Sequence, residues 1–146
     1  MTSFAEYLAL ERESEIKHEF DSGEILAMSG GTARHSALAV NISFALRGAI
    51  EYDPQDVDRT TIINPVLLVE VLSDDTEKAD RGNKWMHYQR IPSLIEYVLV
   101  SQNPRIEVYR RMPAGTWEYF EVREGTVKLA CGPTLDLSTL YADLPV

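Results

Sequence analysis

Apolar positions along the chain change period several times, and each change predicts an element. Phe4, Tyr7, Leu8 and Leu10 follow Ser3, with Glu6 three residues after the serine. That capping-box pattern predicts a short helix from Ser3 to Glu13. Ile16 to Phe20 and Glu24 to Met28 are short apolar-bearing runs around Asp21-Ser22-Gly23, the pattern of a β-hairpin. Ser29-Gly30-Gly31-Thr32 reads as a loop, with Thr32 placed to cap the next element. Leu38, Ile42, Ala45, Leu46 and Ala49 recur at helical spacing, which predicts an amphipathic helix over Ala33 to Ile50. Glu51 to Arg59 is acidic, contains Pro54 and has no period, so it reads as a loop.

Pro65 to Leu72 is a nearly continuous apolar run, the signature of a strand buried on both faces. Ser73 to Asp80 reads as a polar turn. Arg81 to Arg90 carries Trp85, Met86 and Tyr88 among polar residues and predicts a helix stopped by Pro92. Three strands are predicted next, at Ile95 to Val100, Ile106 to Arg110 and Thr116 to Val122, with Thr126 to Ala130 as a fourth candidate. Leu135 to Leu144 reads as a loop or short helical turn. This order predicts an α/β protein, a mixed sheet with helices on its faces. No internal repeat or low-complexity tract interrupts it.

Composition narrows the function. At 146 residues, 45% apolar and 25% charged, the chain is one ordinary globular domain with a real core. Its net charge of −9 argues against holding nucleic acid by a broad basic surface. A nuclease that gathers a few cations locally and uses a metal remains open. Cys131 is the single cysteine, which excludes an internal disulfide and a Cys-rich zinc site and fits a reducing compartment. Glu6, Glu11, Glu13, Glu15 and Glu19 are the reverse of a basic leader. The longest apolar run, Val66-Leu67-Leu68-Val69, is stopped by Glu70, far short of the ~20 residues needed to cross a bilayer. The expected address is the cytoplasm, with no membrane partner.

Glu70 is the most informative residue. A carboxylate inside Leu67-Leu68-Val69-Glu70-Val71-Leu72 is costly unless paired, protonated or bound to a metal. Two readings stand: a strand-end glutamate reaching solvent or an arginine, or a functional acid. Asp80 and Lys84 lie four apart, on one face if helical. Alone they read as an exposed ion pair, with Asp80 as a candidate N-cap. Beside Glu70, Lys84 would suit phosphodiester hydrolysis, orienting or deprotonating the attacking water and neutralising charge on phosphate. His35 opens a helix and reads first as a hydrogen-bonded cap-region histidine, second as a phosphate contact or proton carrier. Gly30-Gly31 could present backbone N–H groups to an anion, but the pair is a weak signal. Ser73 has no His/Asp set around it, which argues against a hydrolase triad. Trp85, Met86 and Tyr88 read as a core face. Arg105, Arg110 and Arg111 alternate with Ile106, Val108 and Tyr109 and read as the wet face of a strand.

Several runs carry a family likeness. They are His18-Glu19-Phe20-Asp21-Ser22-Gly23-Glu24-Ile25 with Met28-Ser29-Gly30-Gly31, then Asn64-Pro65-Val66-Leu67-Leu68-Val69-Glu70-Val71-Leu72-Ser73. Asp80-Arg81-Gly82-Asn83-Lys84 with Tyr88, and Ile91-Pro92-Ser93-Leu94-Ile95-Glu96-Tyr97, complete the set. In this order they resemble the Uma-two family of restriction-endonuclease-like proteins, in the PD-(D/E)XK nuclease superfamily, over nearly the whole chain. The resemblance implies a restriction-endonuclease-like fold and hydrolysis of a DNA phosphodiester with Mg²⁺ or Mn²⁺. It implies that Glu70 is the metal-binding glutamate, Lys84 the active-site lysine moved to the following helix, and Asp80 the recurrent aspartate one turn earlier. Glu24 and His35 match recurrent positions and are carried as accessory residues.

One departure is serious. The family pattern has two further strands after the long helix, the second opening on a Pro-Asp pair whose aspartate is the other metal ligand. Here Ala45-Leu46-Arg47-Gly48-Ala49-Ile50 runs almost straight into Glu51-Tyr52-Asp53, so the domain, residues 1–146, reads as shortened near 50–51. Asp53, Asp56 and Asp58 lack the strand that would aim them. Asp74 stands where the family has a proline. The expectation is a scaffold with half a site, weak metal binding, weak or absent cleavage, and either dimerisation through an exposed sheet edge or low stability. The alternative is a non-catalytic binding or interaction module on the same scaffold. A small-ligand hydrolase has a weaker case, since no nucleophile–base set appears.

Overall fold

The computed structural model describes residues 1–21, 23–28, 31–49, 64–73 and 77–146. Most of the Ser29–Gly31 loop, Ser22, Asp74 and the candidate stand-ins Asp53, Asp56 and Asp58 lie outside the described residues, as does the junction at 50–51. The chain forms two compact units, Met1–Gly31 and Thr32–Val146.

In the first unit, α1 (Phe4–Glu13) begins at the expected capping box. Ser3 N–H donates to Glu6 Oε2 at 2.7 Å and Glu6 N–H to Ser3 Oγ at 3.3 Å. The hairpin forms from β1 (His18–Asp21) and β2 (Glu24–Ala27). Gly23 takes φ +91° in its turn, a conformation that costs glycine little. Phe4, Tyr7 and Phe20 cluster with ring centroids 5.4–5.8 Å apart. The Tyr7 hydroxyl donates to His18 O at 3.2 Å, which ties α1 to the hairpin.

The second unit opens with α2 (Ala33–Ala45), capped by Thr32, whose side chain accepts from His35 N–H. This helix is shorter than its apolar period predicted. The chain turns at Gly48, which adopts φ +90°, and left-handed backbone ends helices. Next come β3 (Leu67–Val71), α3 (Glu77–Ala79), a wide π-type turn (Asp80–Lys84) and α4 (Trp85–Tyr88). β4 (Glu96–Val100), β5 (Ile106–Arg111) and β6 (Trp117–Val122) follow. The predicted polar turn 73–80 is thus partly helical, because helix begins at Glu77. The tail holds β7 (Thr126–Lys128), inside the fourth candidate strand, then β8 (Thr134–Asp136), which the sequence did not predict, and α5 (Leu137–Leu140), the expected short helical turn. Three residues of β8 are too few to show a period, but Leu135 is fully buried against β7.

The main sheet runs β3-β4-β5-β6, with β3 and β4 parallel and the other pairs antiparallel. It is the mixed sheet with flanking helices that the sequence predicted. One expectation fails inside it. The strand buried on both faces is β4, not β3: all five β4 residues are buried, and all five of β3 are half-buried. Among the described residues β3 pairs only with β4, whereas β4 lies between two neighbours.

Alternation sends side chains to two faces. One carries Leu67, Val69, Val98, Val100, Ile106 and Val108 and packs on Leu38 and Ile42 of α2 and on Leu135, Leu137 and Leu140. The other carries Leu68, Tyr97, Leu99 and Tyr109 and packs on Trp85, Tyr88 and Ile91. Trp85 and Tyr88 are therefore core, as expected, but Met86 is exposed.

The predicted wet arginine face is also overturned. Arg110 Nε donates to the buried Glu96 at 2.7 Å, and Arg111 donates to the carbonyls of Gln89, Ile91 and Leu94 while stacking on Trp117. Arg105 Nε lies 3.5 Å from buried Glu107. Buried acids and backbone carbonyls brought in by the fold supply partners that a reading of the arginines alone overlooks.

Candidate functional site

Glu70 is the fourth residue of β3, on the Tyr97 face of the sheet. The chain then leaves the sheet through Leu72 and Ser73, and helix resumes at Glu77. The wide turn Asp80–Lys84 brings the lysine back over the strand. Lys84 Nζ lies 3.5 Å from Glu70 Oε1 and 2.8 Å from Asp80 Oδ1. The three residues singled out from sequence thus converge on one ammonium. π-type turns recur at functional sites because the extra residue displaces side chains from the regular ladder.

Burial separates the two acids. The Asp80 side chain is 1% exposed and that of Glu70 29%. Asp80 is neither an N-cap nor half of an exposed pair, because α3 precedes it and the Tyr97 face encloses it. Its contact with Lys84 is ionic, not an aligned hydrogen bond. Oδ1 is enclosed and has no hydrogen-bond partner among the described residues. The Tyr97 hydroxyl donates to the Asp80 backbone carbonyl at 3.1 Å. Burial, then the charges of Glu70 and Asp80, push Tyr97 ionisation far above its ordinary range, so the phenol stays a neutral donor.

Tyr88 was not singled out as a site residue. Its hydroxyl lies 3.4 Å from Glu70 Oε1, one turn of helix after Lys84. The i, i+4 spacing of Lys84 and Tyr88 was a signal that could have found it. His35 is placed by α2 so that Nε2 donates to Val71 O at 3.0 Å, anchoring the residue after Glu70. The carbonyl accepts, so Nε2 carries the proton. That is the hydrogen-bonded reading of His35. The Gln102 side-chain amide acts nearby in the same way, its Nε2 donating to Leu72 O at 3.2 Å. Glu24 is exposed at the start of β2, in the first unit.

Arg81, inside the same turn, makes the strongest pairing. Its guanidinium forks onto both oxygens of Glu107 on β5, at 2.5 and 2.6 Å, and its Nε donates to Glu77 at 2.8 Å. The Tyr119 hydroxyl adds a bond to Glu107 Oε1 at 2.8 Å. Burial pushes the Glu107 carboxyl up, but the Arg81 fork and the Tyr119 hydroxyl outweigh it, so it sits below its ordinary value of 4.5. Stability from this pairing is therefore present above the unfolded-state value. It is lost as pH falls from there through the lower folded value. In Glu107→Gln, acid unfolding followed by circular dichroism is expected to show a weaker pH dependence below 4.5 than in the parent. An unchanged acid limb would contradict the assignment.

As for a metal, no group of three His, Cys, Asp or Glu side chains among the described residues is arranged to hold one. Glu70 offers a hard oxygen donor with solvent access, which suits Mg²⁺ or Mn²⁺, and Asp80 is enclosed beside Lys84. No described helix is long and apolar enough to cross a membrane.

Comparison with known proteins places the family and the fold. Residues 48–144 match the family model Uma2, described as "Putative restriction endonuclease". Two relatives come from Synechocystis sp. (strain ATCC 27184 / PCC 6803 / Kazusa). "Uncharacterized protein slr1290" is 34% identical over 143 residues, covering 77% of this chain and 75% of its own. "Uncharacterized protein sll1609" is 30% identical over 146 residues, covering 77% and 82%. A crystal structure from Anabaena variabilis ATCC 29413, titled "a putative nuclease belonging to DUF820", superposes with a TM-score of 0.69 at 17% identity. It covers 97% of this chain and 98% of its own. That likeness speaks to the fold, which is restriction-endonuclease-like. With two thirds of its length matched by the family model and a relative 34% identical that covers 77% of it, the chain belongs to the Uma2 family.

Proposed function

We propose that this protein is a divalent-cation-dependent DNA endonuclease of reduced or vestigial activity, its centre built on Glu70, Lys84 and Asp80. The observation that carries the reading is the Lys84 ammonium 3.5 Å from a part-exposed acid at the end of an apolar strand. Glu70 would hold Mg²⁺ or Mn²⁺, together with water and phosphate oxygens. The bound ion would supply charge to stabilise the phosphate and acidify water. Lys84 orients the attacking water and offsets charge on the phosphate. Asp80 fixes Lys84, and Tyr88 and His35 fix Glu70 and the strand that bears it. The reading takes residues 1–146 as one cytoplasmic domain, with Glu24 as an accessory residue of unassigned role.

Reduced activity follows from the sequence around residue 50, where the Pro-Asp strand of the family pattern has no counterpart. The alignments support a shortened chain. That with slr1290 runs over 143 positions yet draws on 77% of 146 residues, so the relative carries positions without an equivalent here. A single strong carboxylate is a poor anchor for an ion that prefers octahedral oxygen ligation.

The test is plasmid nicking by purified protein with Mg²⁺ or Mn²⁺. The expected result is slow cleavage that disappears in Glu70→Ala. Cleavage indifferent to Glu70→Ala would overturn the reading, and cleavage at ordinary enzyme turnover would overturn the impairment. No cleavage and no Glu70-dependent metal binding would favour a non-catalytic module. A shortened sheet is also expected to leave β3 open to self-pairing, giving a homodimer or a low melting temperature. Light scattering with thermal unfolding checks this, and a monomer that melts like a well-packed domain would contradict it.

A further inference from the structure

We infer that Glu107 is a positioning residue for the site: acting through Arg81, it places the turn from which Lys84, fixed by Asp80, reaches Glu70. The sheet register puts Glu70, Leu99 and Glu107 in one row across β3, β4 and β5. Directly opposed residues share a face, so both acids face the Asp80–Lys84 turn, two strand spacings or about 10 Å apart. The turn spans that gap: Arg81 meets Glu107, and Lys84 meets Glu70. The two ends differ in stiffness. Arg81 has its Nε and both terminal nitrogens engaged, by Glu77 and by the two oxygens of Glu107. A planar fork on a carboxylate fixes orientation as well as distance. Glu107 is itself 3% exposed and braced by Tyr119 and Arg105. Lys84, on a flexible four-carbon stem, meets Asp80 of its own turn at 2.8 Å and reaches Glu70 across to β3 only at 3.5 Å, so its distance from Glu70 depends on where the turn sits. The rigid end sets the position of the flexible one.

The inference takes its functional meaning from the proposed nuclease site, but its test needs no cleavage. The chain has four lysines, Lys17, Lys78, Lys84 and Lys128, so lysine-labelled protein gives a short list of side-chain ammonium resonances. Lys84→Arg assigns the one of interest. A matched control lies on the opposite face of the sheet. Glu96 is 1% exposed, pairs with Arg110 at 2.7 Å and accepts from Ala130 N–H at 2.7 Å, and its side chain has no partner in the turn among the described residues. Glu107→Gln is expected to move the Lys84 resonance and leave the other three, and Glu96→Gln to leave Lys84 in place although it also destabilises the fold. If Glu107→Gln does not fold, Arg81→Lys keeps the charge, loses the fork and is expected to move the same resonance. A Lys84 resonance unmoved in the folded variants, or moved equally by Glu96→Gln, overturns the inference. Because the readout is spectroscopic, its failure is distinct from a failure to cleave DNA.

Discussion

Replacing Glu107 with alanine is expected to lower unfolding free energy by about 3–5 kcal/mol, the usual cost of leaving one member of a buried ion pair uncompensated. That is a large share of the roughly 5–15 kcal/mol that holds a domain together. The loss falls on Arg81, whose side chain is 28% exposed and cannot fully recover its hydration without moving the turn. Tyr119 loses its acceptor at the same time. Urea titration at neutral pH measures the change. The double variant Arg81→Met with Glu107→Met is expected to recover most of the stability, because a packed apolar pair avoids the desolvation penalty. If Glu107→Ala costs no more than an ordinary surface substitution, the pairing does not hold the turn.

Lys84→Met has the second large effect, and it separates structure from chemistry. It leaves the enclosed Asp80 carboxylate beside a thioether, which is expected to destabilise the fold at neutral pH. Under the proposed reading it also lowers divalent-cation-dependent cleavage by about 10²-fold, in kcat more than in KM, as when a group that stabilises developing charge is removed. Adding Asp80→Asn is expected to restore stability, because a neutral amide tolerates that pocket better. It is not expected to restore cleavage. Recovery of both in the double variant would show that Lys84 merely neutralises Asp80.

The fold was legible where the pattern was long or strongly punctuated. Ser3 with Glu6 marked the start of α1, and Gly23 marked the hairpin turn. Apolar runs found β3 to β6 to within a residue or two. What composition could not show was which run would lie inside the sheet. Leu67 to Val71 is more apolar than Glu96 to Val100, yet β4 is the covered strand, because strand order is a tertiary property. β8 was missed because three residues carry no period.

The site was legible in part for a related reason. An acid within an apolar strand drew attention to Glu70, but the same signature holds for Glu96 and Glu107, which were passed over. Partners separate the three. Glu96 and Glu107 each receive a short guanidinium contact, whereas Glu70 receives an ammonium at 3.5 Å and a phenol at 3.4 Å. The four-residue step from Asp80 to Lys84 was readable, but the depth of Asp80 was not. An i, i+4 pair looks the same in sequence on a wet face and in a pocket. The arginines read as wet because their partners, Glu96 for Arg110 and the carbonyls of Gln89, Ile91 and Leu94 for Arg111, lie on other elements, in a register no local pattern reveals.

The central claim is that Glu70 and Lys84 share one site for a divalent cation. Titrating Mn²⁺ into lysine-labelled protein tests it most directly, because a paramagnetic ion broadens the resonances nearest to it. Selective broadening of Lys84 ahead of Lys17, Lys78 and Lys128, abolished by Glu70→Gln, is the predicted result. Uniform broadening of all four, or selective broadening that survives Glu70→Gln, would contradict the account.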